Sequence, residues 1–326
     1  MLSRVANSIY WLGRYLERAE NYARFIDVNF NLMLDLPPDL KTQWEPLVFA
    51  TGDHESYSGR YEEYDKKSVI HFLTLDTSNP NSIISSITYA RENARIVREN
   101  LSKETWEKIN ELYHFIKKAT PRKIWDKEDP RSFFDKIKNQ IQLLYGLTES
   151  TVARTEGWYW KQLGMYLERA DKTSRILDVK YHMLLPTPEE VGSPLDFLHW
   201  TALLKSVTGF NTYRRIHGKI QANGVVDFLI FSRRFPRSIY FCLKEAEDCL
   251  HMISGSKDNE FHNKAEKAIG ALRSKLGFSE VSDIIGIGLH ESIDDLQQKI
   301  NNISDEIQSI FFQINKDYNI QQQQQE

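Results

Sequence analysis

An all-α fold is predicted for this chain: a large helical bundle with an internally duplicated long helix, hence a pseudo-twofold logic, and a coiled-coil-like C-terminal helix. Three observations predict it. Apolar residues recur three or four apart through nearly the whole chain. No useful stretch alternates with the period of a strand or carries a hairpin signal. A Leu-Gly-x-Tyr-Leu-Glu-Arg-Ala motif occurs twice, 151 residues apart. The 326 residues are 41% hydrophobic and 27% charged, the composition of a folded globular chain rather than a disordered one. That length permits two domains or one large helical one. The repeat favours a single all-helical domain over 1–320, with halves of about 1–150 and 151–320 and a glutamine-rich tail at 321–326.

Taken in order, Ile9, Leu12, Leu16, Ala19, Ala23, Ile26, Phe30 and Met33 put one apolar face on a long helix over 3–36, ended by Pro37-Pro38. The aromatic stretch 43–64, with Gly52-Asp53 and Ser58-Gly59 as turn signals, reads as a loop with short helices before an apolar run at 69–75. Helices follow at 82–101 and 103–118, the second capped by Ser102, and then at 131–153. From 157 to 185 the pattern of the first helix returns, stopping at Pro186 and Pro188. Further helical segments are read at 195–207, 209–221, 225–231, 236–253 and 260–276. The last helix, 289–319, carries Ile293, Leu296, Ile300, Ile303, Ile307, Ile310 and Ile314 at three-four spacing, the seam of a coiled coil or of a bundle helix.

Net charge is −3, which gives no general attraction to nucleic acid. No run approaches the roughly 18 apolar residues of a membrane span, and the first residues open into an amphipathic pattern rather than a signal peptide. A cytoplasmic protein with neither nucleic acid nor membrane as partner is expected. Cys242 and Cys249, seven apart on one helix face, read as buried reduced thiols.

The repeat preserves charge as well as apolar class. Glu17, Arg18, Glu20, Arg24 and Asp27 return as Glu168, Arg169, Asp171, Arg175 and Asp178, while Asn21/Lys172, Tyr22/Thr173 and Asn29/Lys180 differ. Each long helix therefore carries a charged stripe beside its apolar one. Exposed ion pairs at such spacing contribute only a few tenths of a kcal/mol and would drift. The retained stripes are thus expected to be partly buried, as a polar network between the repeat helices or as the lining of a cleft. Arg91, Arg95 and Arg98, at i, i+4 and i+7 on a third helix, are the expected suppliers of cations to those acids.

Arg233-Arg234-Phe235-Pro236-Arg237-Ser238 places proline in what reads as the first turn of a helix, with three guanidinium groups beside unsatisfied backbone N–H groups. That is a candidate anion site formed by Arg233, Arg234, Arg237 and Ser238. Arg214, Arg215, His217 and Lys219 form a weaker one. Glu111-x-x-His114 and Asp248-x-x-His251 have the spacing of carboxylate-bridged metal ligands, but the pattern is loose and one pair lacks the glutamate, so no metal is assigned. Nucleophile elbow, Walker loop, dinucleotide fingerprint and zinc spacing are all absent, and no cofactor is expected.

Leu12-Gly13-Arg14-Tyr15-Leu16-Glu17-Arg18-Ala19-Glu20, Ala90-Arg91-Glu92-Asn93-Ala94-Arg95, Leu167-Glu168-Arg169-Ala170-Asp171 and Phe235-Pro236-Arg237-Ser238-Ile239 together give the chain its likeness. It resembles the Alpha-E proteins, bacterial all-helical proteins named for a Glu-Arg motif. One local departure is Ile230-Phe231-Ser232-Arg233-Arg234, where an acidic or polar dipeptide is expected before the Phe-Pro-Arg-Ser box. The resemblance implies a setting: an adjacent or fused circularly permuted ATP-grasp carboxylate-amine ligase, often with a transglutaminase-like protein, hence peptide or amide-bond synthesis. The expected function is a non-catalytic helical partner of that ligase, binding an anionic or peptide ligand through its charged helices. The alternative is an enzyme of the same system, with Glu17 or Glu168 as acid or base and Arg91, Arg95 or Arg237 orienting the substrate. Carboxylates flanked by arginines stay ionised, which suits a salt-bridge network better than a tuned acid.

Overall fold

The computed structural model describes residues 1–35, 44–121, 124, 130–182, 192–257 and 260–313; the prolines expected to stop the two motif helices, Ile314 and the glutamine-rich tail lie outside the described residues. In chain order its α-helices are α1 (Ser3–Asp35), α2 (Glu45–Thr51), α3 (His54–Ser58), α4 (Lys66–Thr74), α5 (Ile83–Ile96), α6 (Lys103–Lys117), α7 (Arg131–Thr151) and α8 (Glu156–His182). These are followed by α9 (Pro194–Ser206), α10 (Phe210–His217), α11 (Ala222–Ile230), α12 (Ile239–Ser254), α13 (Lys264–Phe278), α14 (Val281–Ile287) and α15 (Leu289–Ile307). No strand occurs among the described residues, and the all-α class is confirmed.

The two motif helices, α1 and α8, pack against each other more extensively than any other pair, and the remaining helices are distributed about them. α5 and α7 flank α1, with α6 spanning both; α12 and α15 flank α8, with α13 spanning both. α9 lies on α1, and α2 lies on α8. Each of these neighbours of one motif helix thus has a counterpart about the other. The apolar faces merge into a main core running from Ala6 to Phe312, and Val28, Leu32 and Ala202 form a small separate cluster between α1 and α9.

Short polar residues start the flanking helices where backbone N–H groups lack partners. Ser82 accepts from Ser85 N before α5, Ser102 from Thr105 N before α6, Ser238 from Phe241 N before α12 and Asn263 from Glu266 N before α13. Ser102 is therefore the cap its sequence context predicts. Pro236 is not in the first turn of a helix: α12 begins three residues later, because the Ser238 hydroxyl takes the capping position. Helix α14 lies outside the predicted segments, although Val281, Ile284 and Ile285 stand at i, i+3 and i+4 and Glu280 and Asp283 form a capping box.

The C-terminal seam is filled within the chain. Ile293, Leu296, Ile300, Ile303 and Ile307 are buried, and α15 packs on α8 and α13. Ile310 departs from the expected stripe and is 39% exposed, whereas Phe312 is buried. The cause is a change of helical pitch: Gln308–Phe312 forms a π-helical turn, so the face that points inward shifts after Ile307.

What lets α1 and α8 approach so closely is the glycine of each motif. A Cβ on Gly13 would stand 2.2 Å from the Lys161 carbonyl oxygen, and one on Gly164 would stand 2.1 Å from that of Tyr10. The backbones touch at a reciprocal crossing that a side chain cannot enter. We predict that Gly13→Ala or Gly164→Ala lowers stability by about 1–3 kcal/mol by overpacking, despite the roughly 1 kcal/mol helix-propensity gain. Gly146→Ala in α7, where no atom lies within 4 Å of the added carbon, should instead raise stability. Urea melts read both signs.

Candidate functional site

The charged stripes of α1 and α8 face each other just beyond the glycine crossing. Arg169 donates to Glu17 through Nε (3.0 Å to Oε1) and Nη2 (2.8 Å to Oε2). Arg18 returns the same fork to Glu168 through Nε (2.6 Å to Oε1) and Nη2 (3.0 Å to Oε2). Each Glu-Arg motif is therefore closed by the other copy, with two bidentate pairs in the geometry that suits guanidinium and carboxylate.

The same arginines also fix where the next layer begins. Arg18 Nη1 donates to Asn81, just ahead of the Ser82 cap of α5, and Arg169 Nη1 reaches the carbonyl of Pro236, just ahead of the Ser238 cap of α12. Two further guanidinium groups complete the acids. Arg14 Nε donates to Glu168 at 2.8 Å; Arg237 donates to Glu17 and Glu20, each at 2.8 Å. Glu20 also accepts from Arg24 and Gln142, Asp171 from Arg175 and Lys172, and Glu17 from Asn21 and the Tyr145 hydroxyl. Glu17, Glu20 and Glu168 have no solvent exposure.

Burial alone would push these carboxyls up, but the adjacent cations outweigh it. Arg169 and Arg237 hold Glu17 far below the ordinary carboxylate range, and Arg18, Arg14 and Lys172 do the same for Glu168. Arg237 leads the groups that lower Glu20 against burial. Lys172 and Arg175 bring Asp171 down to about 2. Burial and the Glu17 charge push the Tyr145 hydroxyl well above 10. None of these groups is poised to exchange a proton near neutrality, so the arrangement suits a fixed ionic core rather than acid-base chemistry.

The ends of the stripes lie apart from this centre. Asp27 pairs with Lys138 of α7, and Asp178 with His290 of α15 at 2.7 Å. Among the described residues, Asp178, His290 and Asp294 are the three metal-ligand side chains that converge; Glu111, His114, Asp248 and His251 are not among them.

Two expectations are corrected. Arg91, Arg95 and Arg98 do not supply the motif acids. Arg91 bonds Asn110 and Glu92 and stacks on Tyr113 and Arg95 pairs with Glu92, because α5 turns this face toward α6 and solvent, while Arg98 falls in a 3-10 turn after the end of α5 and lies over Trp106. The Arg233–Ser238 segment is not an open anion cradle either. Arg237 is spent on Glu17 and Glu20, and Ser238 caps α12 and donates to the Ser232 carbonyl. Arg233 lies over Tyr240 and, like Arg234, stays exposed. Arg214 lies over Phe210, and His217 stacks on Tyr213. Sequence reasoning missed Arg14, Asn21, Gln142, Tyr145 and Lys172 as members of the network. Asn21 and Lys172 stand at positions where the motif copies differ, and Gln142 and Tyr145 come from α7, so no spacing within the motif reveals them.

A cleft of about 280 Å³ opens beside the core, lined by Tyr145, Glu149, Gln162, Met165, Tyr166 and Arg169. Arg169 lies over the rings of both Tyr145 and Tyr166, so the cleft reaches the buried pairs through an aromatic wall.

Fold and site together define an all-helical domain organised around interlocked Glu-Arg motifs. The chain belongs to the Alpha-E family, described as a predicted alpha-helical domain with a conserved ER motif, whose model matches residues 1–312. Similar proteins include an uncharacterized protein of Mycobacterium bovis and two of Mycobacterium tuberculosis, each 23% identical over 314 residues and covering 90% of this chain. The chain spans about a third of the length of these relatives, 34%. No solved structure matches it. No helix among the described residues is long and apolar enough to cross a membrane.

Replacing Glu17 or Glu168 by glutamine strands buried guanidinium groups, and urea melts should show a loss of roughly 3–5 kcal/mol. Acid should act through the same groups. Asp171, lowered from 3.8 to about 2, contributes stability that is present above pH 4 and lost as pH falls toward 2. Asp171→Asn is expected to flatten the pH dependence of stability in that window, read as melting temperature against pH.

Proposed function

We propose that this protein is a non-catalytic helical partner of an ATP-grasp carboxylate-amine ligase in a system that makes or modifies peptide or amide bonds. Its internal duplication would provide a rigid frame, with residues 1–320 acting as one domain in the cytoplasm. The observation that carries the reading is the saturation of Glu17 and Glu168 by guanidinium forks, which leaves neither free for acid-base work and makes the motif a scaffold.

Two features support ligand or partner binding by that scaffold. The cleft beside the core sets Arg169 among Tyr145, Tyr166 and Gln162, an aromatic and polar wall with a cation that suits an anionic or peptide ligand. The match of this chain to about a third of much longer relatives is what a helical unit working beside other domains would produce. A transglutaminase-like protein is a second candidate partner from the same setting.

Affinity capture from native lysate tests the proposal, comparing wild type with the cleft variant Gln162→Ala/Tyr166→Ala once both are shown to be folded. Recovery of an ATP-grasp ligase by wild type, reduced at least tenfold by the variant, is the expected outcome. Failure of wild type to retain any such ligase would overturn the partnership.

A further inference from the structure

Lys161, in the second turn of α8, is 5% exposed and forms no ion pair among the described residues. Among the described residues its ammonium donates to the Thr148 hydroxyl alone. Glu149, whose charge it feels, is held by Gln162 at 2.6 Å and Arg154 at 3.6 Å. Desolvation pulls the ammonium down to about 8, the mark of a buried cation without its counter-ion.

The bundle itself does not call for a lysine here. At the corresponding place in α1 stands Tyr10, packed in a cluster of Trp11, Trp160 and Phe312. Lys161 instead lines a cavity of about 60 Å³ between α1, α6, α7 and α8, with Ile9, Leu101 and Val152 as apolar walls and Thr105 and Thr148 as hydroxyl-bearing ones. Asn100 and Thr155 also line it and are exposed, so the cavity reaches the surface. Trp158 lines the same cavity as an aromatic wall. A buried cation whose one hydrogen-bond partner among the described residues is neutral thus lines a cavity open to the surface.

We propose that Lys161 heads a binding pocket for a small monocarboxylate with a short apolar tail, a site independent of the partner reading above. A carboxylate supplies the counter-ion that the Lys161 ammonium lacks. The tail lies along Ile9, Leu101 and Val152. The volume admits on the order of five water-sized spheres, which suits acetate to butyrate.

Calorimetric titration of the full chain with sodium butyrate, n-butanol and n-butylamine is the test, repeated on Lys161→Met. Saturable binding of butyrate, absent for the alcohol and amine and weakened at least tenfold in the variant, is the expected result. Failure of wild type to bind butyrate, or equal binding by a folded Lys161→Met, would overturn it. Should the variant not fold, acetic anhydride labelling of Lys161 in wild type, followed by peptide mass spectrometry, decides the matter. Saturating butyrate slows labelling at Lys161 if the pocket is real and leaves it unchanged if the proposal is wrong.

Discussion

The reciprocal forks between Glu17 and Arg169 and between Glu168 and Arg18 are the constraint on which the rest of this fold depends. They exist only because Gly13 and Gly164 bring the two helix backbones into contact a turn earlier, so that side chains of ordinary reach meet end to end. The same guanidinium groups hold Asn81 and the Pro236 carbonyl, and those contacts set where α5 and α12 begin. Crossing, ion pairs and the entry of the flanking helices therefore form one mechanical unit.

An ionic core of this kind is not a cheap source of stability. Removing several charges from water costs several kcal/mol per ion, and a well-packed apolar core of the same shape often does as well. What the ions add is discrimination among packings. A packing that turned either motif helix away from the other would leave full charges buried and unpaired, whereas two leucine faces would tolerate it. Apolar residues supply the attraction here, and the glutamates and arginines select one register.

The counterpart relation between the neighbours of α1 and of α8 makes its exceptions informative. Met165 stands where Arg14 would be expected, so Glu17 takes its second guanidinium from Arg237 of the segment before α12. Lys161 stands where Tyr10 would be expected. Both exceptions fall on the face of α8 turned toward α7, and the 280 Å³ cleft and the Lys161 cavity share Thr148 as a wall. The polar openings of the bundle thus lie where the two motif helices differ rather than where they match.

The sequence by itself determined the all-helical class, most helix positions, the cap at Ser102, the buried thiols and the presence of two charged stripes. Periodicity, capping and charge retention are local properties, and local patterns carry them. It also marked Glu17, Arg18, Glu168 and Arg169 as a unit, because repetition of specific charges is improbable on an exposed face. Which cation meets which acid was decided only by the tertiary structure. Arg237 is far from Glu17 along the chain and read as an open anion cradle; Arg91, Arg95 and Arg98 read as partners and were not. Tyr145, Gln142 and Lys172 carried no signal, and the inward face of the last helix shifted with a π turn that no apolar spacing announces. The physical reason is common to all of these: helix faces are written in local spacing, but the rotation and crossing of one helix against another emerge from backbone contact and packing between distant segments.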